Sequence, residues 1–158
     1  MTTNFQSPAI ETFWNNLRHS LDRIEEVYAS CSLDQLNWRP PAPETNSIHV
    51  LAVHSLGHLR QGIVGVLGEG SQERDRDAEF RAVATTANAP IPDWAETHQL
   101  METTLARLSP DVLDRVYEPI NRAPMTGLAL MMLMTRHTAL HEGHAELTRD
   151  LAKAAGVS

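Results

Sequence analysis

The chain has 158 residues, 13 basic and 20 acidic side chains, a formal net charge of −7 and one cysteine. That length suits one domain, 1–158, burying roughly 70% of its unfolded surface without staples; a lone Cys31 excludes an intrachain disulfide and suits a reducing compartment. An acidic surface with no long basic run repels phosphate backbones and anionic headgroups, so neither nucleic acid nor a membrane surface is an expected partner.

The opening MTTNFQSPAIETFWNN lacks the basic and then apolar pattern of a secretory leader, and no stretch approaches the ~18 consecutive apolar residues of a membrane span. A cytoplasmic protein is expected. From about Pro8 to Ala29, Ile10, Phe13, Trp14, Leu17, Leu21, Ile24 and Val27 or Tyr28 recur at helical steps, and Ser7 before Pro8 reads as a cap followed by proline. SLDQLNWRPPAPETN then breaks the regularity; Pro40, Pro41 and Pro43 stiffen it, and Trp38 is expected to pin it to the body. A second helix runs from about Ser47 to Leu67, capped by Asn46 or Ser47 and stopped at Gly68 to Gly70. Apolar residues wrap much of its circumference, which places it inside a bundle.

GEGSQERDRDAEFRAVATTANAPIP reads as a long connection with one helical turn near Asp77 to Val83. It is long enough to cross from one end of a bundle to the other. A third helix spans about Ile91 to Leu108, Ser109 and Pro110 open a short turn through Leu113, and a fourth helix spans about Met125 to Ala155. No strand pattern is found. The expected fold is all-α, a four-helix bundle with the crossover between its second and third helices.

Five of the eight histidines sit at helical spacing in two apolar segments: His54 and His58 in one, His137, His141 and His144 in the other. Residues four apart project within about 40° of each other around a helix, so each set shares a face. Leu130, Met134 and Leu151 extend the second set, and that stripe is expected to point into the core. Hydrogen-bonded core histidines would give the same pattern. Burying several imidazoles without partners costs on the order of 1–3 kcal/mol each, however, and a transition metal would supply the partner.

The chain resembles the DinB-like (DinB/YfiT) superfamily of metal-binding four-helix bundles. The resemblance rests on LNWRPPAPETNSIHVLAVHSLGHL (Leu36 to Leu59), RDRDAEF (Arg74 to Phe80) and HTALHEGHAELTRDL (His137 to Leu151). It implies metal ligands at His54, His137 and His141, with Gly143 and His144 as a trailing pair; some relatives carry glutamate at the position of His137. Three imidazoles leave a coordination position open, the arrangement of a catalytic site, and zinc and nickel both suit such ligands. His58 and His144, one turn beyond, are candidates to orient substrate, act as general base or support the ligands; the alternative is that they face a helix boundary or solvent.

Gln61 and Arg149 are further candidates at similar depth. His49, His19 and His98 read as ordinary, the last two in polar surroundings. Cys31 is not expected to be a nucleophile, and Met131, Met132 and Met134 are expected to fill the core. RDRDAEF reads as surface ion pairs worth little each. The resemblance implies a metal-dependent enzyme, a thiol-dependent S-transferase using a low-molecular-weight thiol on a small-molecule substrate, or a hydrolase. The alternative is a noncatalytic, stress-associated metal-binding protein, and a homodimer is compatible with both.

Overall fold

Ile10, Trp14, Leu17, Leu21 and Ile24 follow each other at three- and four-residue steps, and the whole row is buried along helix α1 (Pro8–Ala29). The computed structural model describes residues 3–158, so the first two residues of the segment read as free of a leader lie outside the described residues. A short helix α2 (Leu33–Asn37) follows at once, closed by reciprocal bonds between Ser32 and Gln35 of 3.1 and 3.2 Å. Its five residues are too few to show a period, which is why the sequence pattern reads this stretch as irregular.

Helix α3 (Ile48–Arg60) begins where Ser47 accepts the Val50 N–H at 3.3 Å, and it continues into a π-helical segment, Gln61–Leu67. The combined stretch Ile48–Leu67 is long and apolar enough to cross a membrane by length and composition, although His49, His54, His58, Arg60 and Gln61 keep it from being a continuous apolar run. Its apolarity has another use, because most of the stretch is buried inside the protein.

Helix α4 (Arg76–Arg81) lies in the long connection, and α5 (Trp94–Arg107) follows. Asp93, with φ of 57°, breaks the backbone before α5, so the helix starts three residues later than the pattern from Ile91 suggests. A single 3₁₀ turn (Pro110–Leu113) leads to two short strands, β1 (Val116–Tyr117) and β2 (Met125–Thr126). They pair antiparallel, Val116 opposite Thr126 and Tyr117 opposite Met125. This corrects the expectation of no strand: two residues cannot display an alternation. The last helix, α6 (Gly127–Ala154), consequently starts at Gly127, with Thr126 capping it.

Cross-helix contacts fix the directions of the four long helices. Arg23 of α1 pairs with Glu146 of α6 at 2.5 Å, and Phe13 shares a groove with Met131, so α1 and α6 run parallel. Trp14 donates to Glu102 at 3.3 Å and Gln6 to the Arg107 carbonyl at 3.2 Å, so α5 opposes α1. Leu51 lies with Leu147 and Leu151, while Gly62 lies against Met134, so α3 opposes α6. Leu67 and Arg107 border one cavity, which puts the C-terminal ends of α3 and α5 together. Two consecutive long helices that run parallel need a return path as long as the bundle, and the 68–93 connection supplies the expected crossover.

Two expectations for α6 need correction. Met132 is 67% exposed and Leu151 is 41% exposed, because the buried row follows Leu130, Met134, Thr138, Ala145, Thr148 and Ala152. The histidine row runs beside that line and leaves the core by His144.

Ser47 is buried and holds the first turn of the helix that carries His54. Ser47→Ala is expected to cost about 1 kcal/mol, read as a lower urea midpoint with unchanged slope.

Candidate metal centre

The antiparallel contact of α3 with α6 places His54 opposite the His137 and His141 pair. His137 Nε2 lies 3.3 Å from His54 Nε2 and 3.1 Å from His141 Nε2. One ligand atom from each of the three residues lies within 4.8 Å of the others. His54 is buried and the other two are half-buried.

Burial pushes the His141 and His137 pKa values down, to about 3 and about 4; neighbouring imidazoles push both further, and nearby arginines add to the effect on His137. Both rings are therefore neutral at pH 7, the form that ligates a metal. His54 Nδ1 lies 3.1 Å from Glu79 Oε2. The same nitrogen lies 3.1 Å from Arg74 Nη2, and both cannot be hydrogen bonds of one tautomer. Arg74 has better acceptors in Glu79 Oε1 at 2.7 Å and Oε2 at 2.6 Å, so the ring donates Nδ1–H to the carboxylate and turns its Nε2 lone pair to the cluster. Burial pushes the Glu79 carboxyl upward, but the bonds from His54 and Arg74 outweigh it and hold the group below its ordinary value.

The residues present fit a metal. His137 Nε2 has at most one proton to share between two nitrogen neighbours, whereas a cation would satisfy three lone pairs at once. Among the described residues, His141 Nδ1 and His58 Nε2 are buried with no hydrogen-bond partner. A divalent first-row metal of borderline softness matches an all-imidazole donor set.

His58 packs its ring 4.2 Å from that of His137 and lines an open cavity of 940 Å³. Gln61, Gln72, Arg74, Arg76 and Arg122 line the same cavity. Burial and the nearby His137 push the His58 pKa down to about 2, which makes it a poor general base and leaves it a neutral neighbour of the cluster. His144 is exposed, its ring 6.0 Å from His141, at the edge of a second, largely apolar cavity of 310 Å³ beside Pro40, Leu51 and Leu147.

Of the remaining candidates only Gln61 borders the His58 cavity. Gln61 donates to the Gln72 carbonyl at 2.8 Å and ties down the long connection. Arg149 pairs with Asp150 and takes no part in the cluster. His49 is buried, with Nδ1 2.8 Å from the Tyr28 hydroxyl. His98 has the polar neighbours expected of it, Asp22, Glu25 and Glu102, but it also packs against Trp94 at 5.9 Å and Trp14 at 5.2 Å, because α5 turns this face to α1. Cys31 is buried, and burial pushes its thiol upward, away from a nucleophile's range.

Sequence reasoning missed Arg74, Glu79 and Phe80, whose ring lies 4.6 Å from that of His54. The signal was available in RDRDAEF. Asp75 caps a short helix, its carboxylate accepting Ala78 N–H at 2.8 Å, and that capping orients Glu79 inward. A ligand imidazole also needs an acceptor for its other nitrogen, so a carboxylate near His54 was to be sought.

The sequence pattern of the DinB superfamily matches residues 13–145. The chain belongs to the DinB superfamily. The DinB fold is shared with a conserved protein from Enterococcus faecalis, with a TM-score of 0.73 at 19% identity over 91% of this chain and 96% of that one. It is shared also with a DinB-like protein from Bacillus cereus ATCC 10987, with a TM-score of 0.62 at 16% identity over 98% of this chain and 96% of that one. No curated protein matches.

In this DinB chain the buried histidines tie stability to pH. An unfolded histidine takes a proton near pH 6.5, while folded His58, His137 and His141 resist it down to about 2, about 4 and about 3. Below pH 6.5 the unfolded state binds more protons, so stability is highest above that value and falls as the pH drops. Metal-free protein is expected to unfold at lower urea at about pH 5.5 than at about pH 7.5, with His58 alone contributing about 1 kcal/mol to the difference. His58→Asn should flatten the dependence by that share; an unchanged pH slope would contradict it.

Proposed function

We propose that the protein is a metal-dependent enzyme acting on a small-molecule substrate, with His54, His137 and His141 holding one divalent ion, zinc or nickel. The observation that carries this reading is the convergence of three imidazoles from two helices within 4.8 Å, beside a 940 Å³ cavity open to solvent. When bound, such an ion acts as a Lewis acid that lowers the pKa of a coordinated water or thiol into the neutral range.

The chain's own residues divide the surroundings into two sides. On the His58 side, glutamines and arginines stand among Glu73, Asp75 and Asp77, so the wall offers both donors and acceptors to a polar molecule. On the His144 side, Leu51, Leu147 and Leu151 offer an apolar wall. The two cavities adjoin the cluster through His58 and His144 and not through its three ligands, and their different character favours a transfer between two partners over hydrolysis of one. On this reading a polar low-molecular-weight thiol occupies the first cavity and the apolar part of an electrophile the second.

The buried, neutral His58 keeps its place beside His137 without taking a proton, which suits orienting a ligand. Exposed His144 stands at the rim of the second cavity.

Elemental analysis of untagged protein tests the proposal first. About one zinc or nickel per chain is expected, and His137→Ala should lose it, because two imidazoles hold such an ion far more weakly than three. Conjugation of cysteine or glutathione to monochlorobimane should then require the metal. Turnover without any thiol would favour hydrolysis. A firmly held metal whose removal unfolds the bundle, with no turnover, would mean a structural site. Absence of metal after incubation with zinc or nickel and desalting would overturn the proposal.

A further inference from the structure

We infer that Gly57, Arg74 and Glu79 form one positioning unit that sets the tautomer of His54, so that metal capture depends on a glycine that touches no ligand atom. The inference rests on the reading of the histidine cluster as a metal centre.

Helix α4 meets His54 on two sides. Glu79 Oε2 lies 3.1 Å from Nδ1, and Phe80 covers the ring at 4.6 Å, itself covered by the Arg76 guanidinium at 4.6 Å. Arg74 grips both carboxylate oxygens of Glu79, at 2.7 and 2.6 Å, and donates to the His54 backbone carbonyl at 3.2 Å. The carboxylate is thus held from behind while it faces the imidazole. Its side chain and that of Arg74 are about nine-tenths buried, so water offers little substitute for either partner.

Gly57 is three residues beyond His54 and shares its face of α3. A Cβ there would overlap Glu79 Oε1, lie 2.9 Å from its Cδ and 3.3 Å from Arg74 Nε. The carboxylate therefore occupies the space that any other residue at position 57 would fill. Because the colliding atom ends a flexible side chain, the easiest relaxation is rotation of the carboxylate away from α3. That rotation breaks its bond to His54. Without an acceptor at Nδ1 the ring is free to carry its proton on Nε2, and a protonated nitrogen has no lone pair for a metal.

Gly57→Ala and Glu79→Ala should each raise the zinc dissociation constant by about 10–100-fold, the usual cost of losing a partner behind a ligand histidine. Competition with a chromophoric chelator reads this directly. In the Glu79→Ala background the colliding oxygen is gone, so adding Gly57→Ala should change affinity by less than about twofold. Long-range proton–nitrogen NMR of the metal-free protein supplies a readout that a merely structural role would not move. Wild type should carry the His54 proton on Nδ1, and both single variants should shift it toward Nε2.

Alanine ordinarily strengthens a helix interior, so weakened binding by a folded Gly57→Ala variant points to the carboxylate. Should Glu79→Ala fail to fold, Glu79→Gln fills the same space without the charge and is expected to weaken zinc binding and loosen the tautomer in the same direction. Wild-type affinity in Gly57→Ala, additive costs in the double variant, or Nε2 protonation in wild type would each overturn the inference. A wild-type protein that binds no zinc would sink the metal-centre reading alone, and the tautomer comparison would still decide the positioning unit.

Discussion

The antiparallel packing of α3 against α6 sets the distance between His54 and the pair His137 and His141, and the closeness of that packing depends on a missing side chain. Gly62 leaves the room that the Met134 sulfur occupies, two turns along α3 from His54 and just short of His137 on α6. A larger residue at 62 would displace that sulfur and force the Met134 side chain to repack between α3 and α6. The separations of 3.1 and 3.3 Å between ring nitrogens leave little slack for a shift of either helix. A methionine, with its flexible stem, fits itself to the gap better than a branched side chain would.

Convergence of this kind works against the stability of the metal-free fold. Several rings lose water, some of their nitrogens find no partner, and the pKa values of His58, His137 and His141 all move in the direction that burial dictates. Glu79 is the counterweight on one side. A buried carboxylate is itself unfavourable unless it is fully bonded, and here Arg74 and His54 take its oxygens while the backbone carbonyl of His54 takes a further Arg74 proton. Such a pair adds little net stability compared with apolar packing, but it fixes geometry, since either partner alone would be left uncompensated.

Much of the scaffold was legible in the residues because long amphipathic helices announce themselves. Ser7 with Pro8, Ser47 and the glycines after Leu67 mark ends that the structure keeps, and the i, i+4 spacing of His137 and His141 marks a face. The π-helical segment and the two-residue strands were not legible, since neither leaves a period. The reading of Leu151 and Met132 failed for a different reason. A helix pattern defines a face but not what lies opposite it, and α6 presents its true buried row one position away from the histidine row. Arg74 and Glu79 were read as surface charges because nothing in a charge run says which of its members folds back onto a neighbouring helix.

The topology explains why that fold-back happens. With α3 and α5 side by side and parallel, the chain must climb the bundle from the end of one to the start of the other. It does so along α3, and the contacts follow in order. Gln61 holds the carbonyl of Gln72, Arg74 and Glu79 reach His54, Arg39 holds the carbonyl of Phe80, and Asn37 bonds both the N–H and the carbonyl of Ala84 at 2.8 and 2.9 Å. A direct hairpin between the two helices would leave the outer side of His54 open to water. The crossover instead lays α4 over it, so the segment required by the parallel arrangement of the helices also supplies the acceptor that a ligand histidine needs.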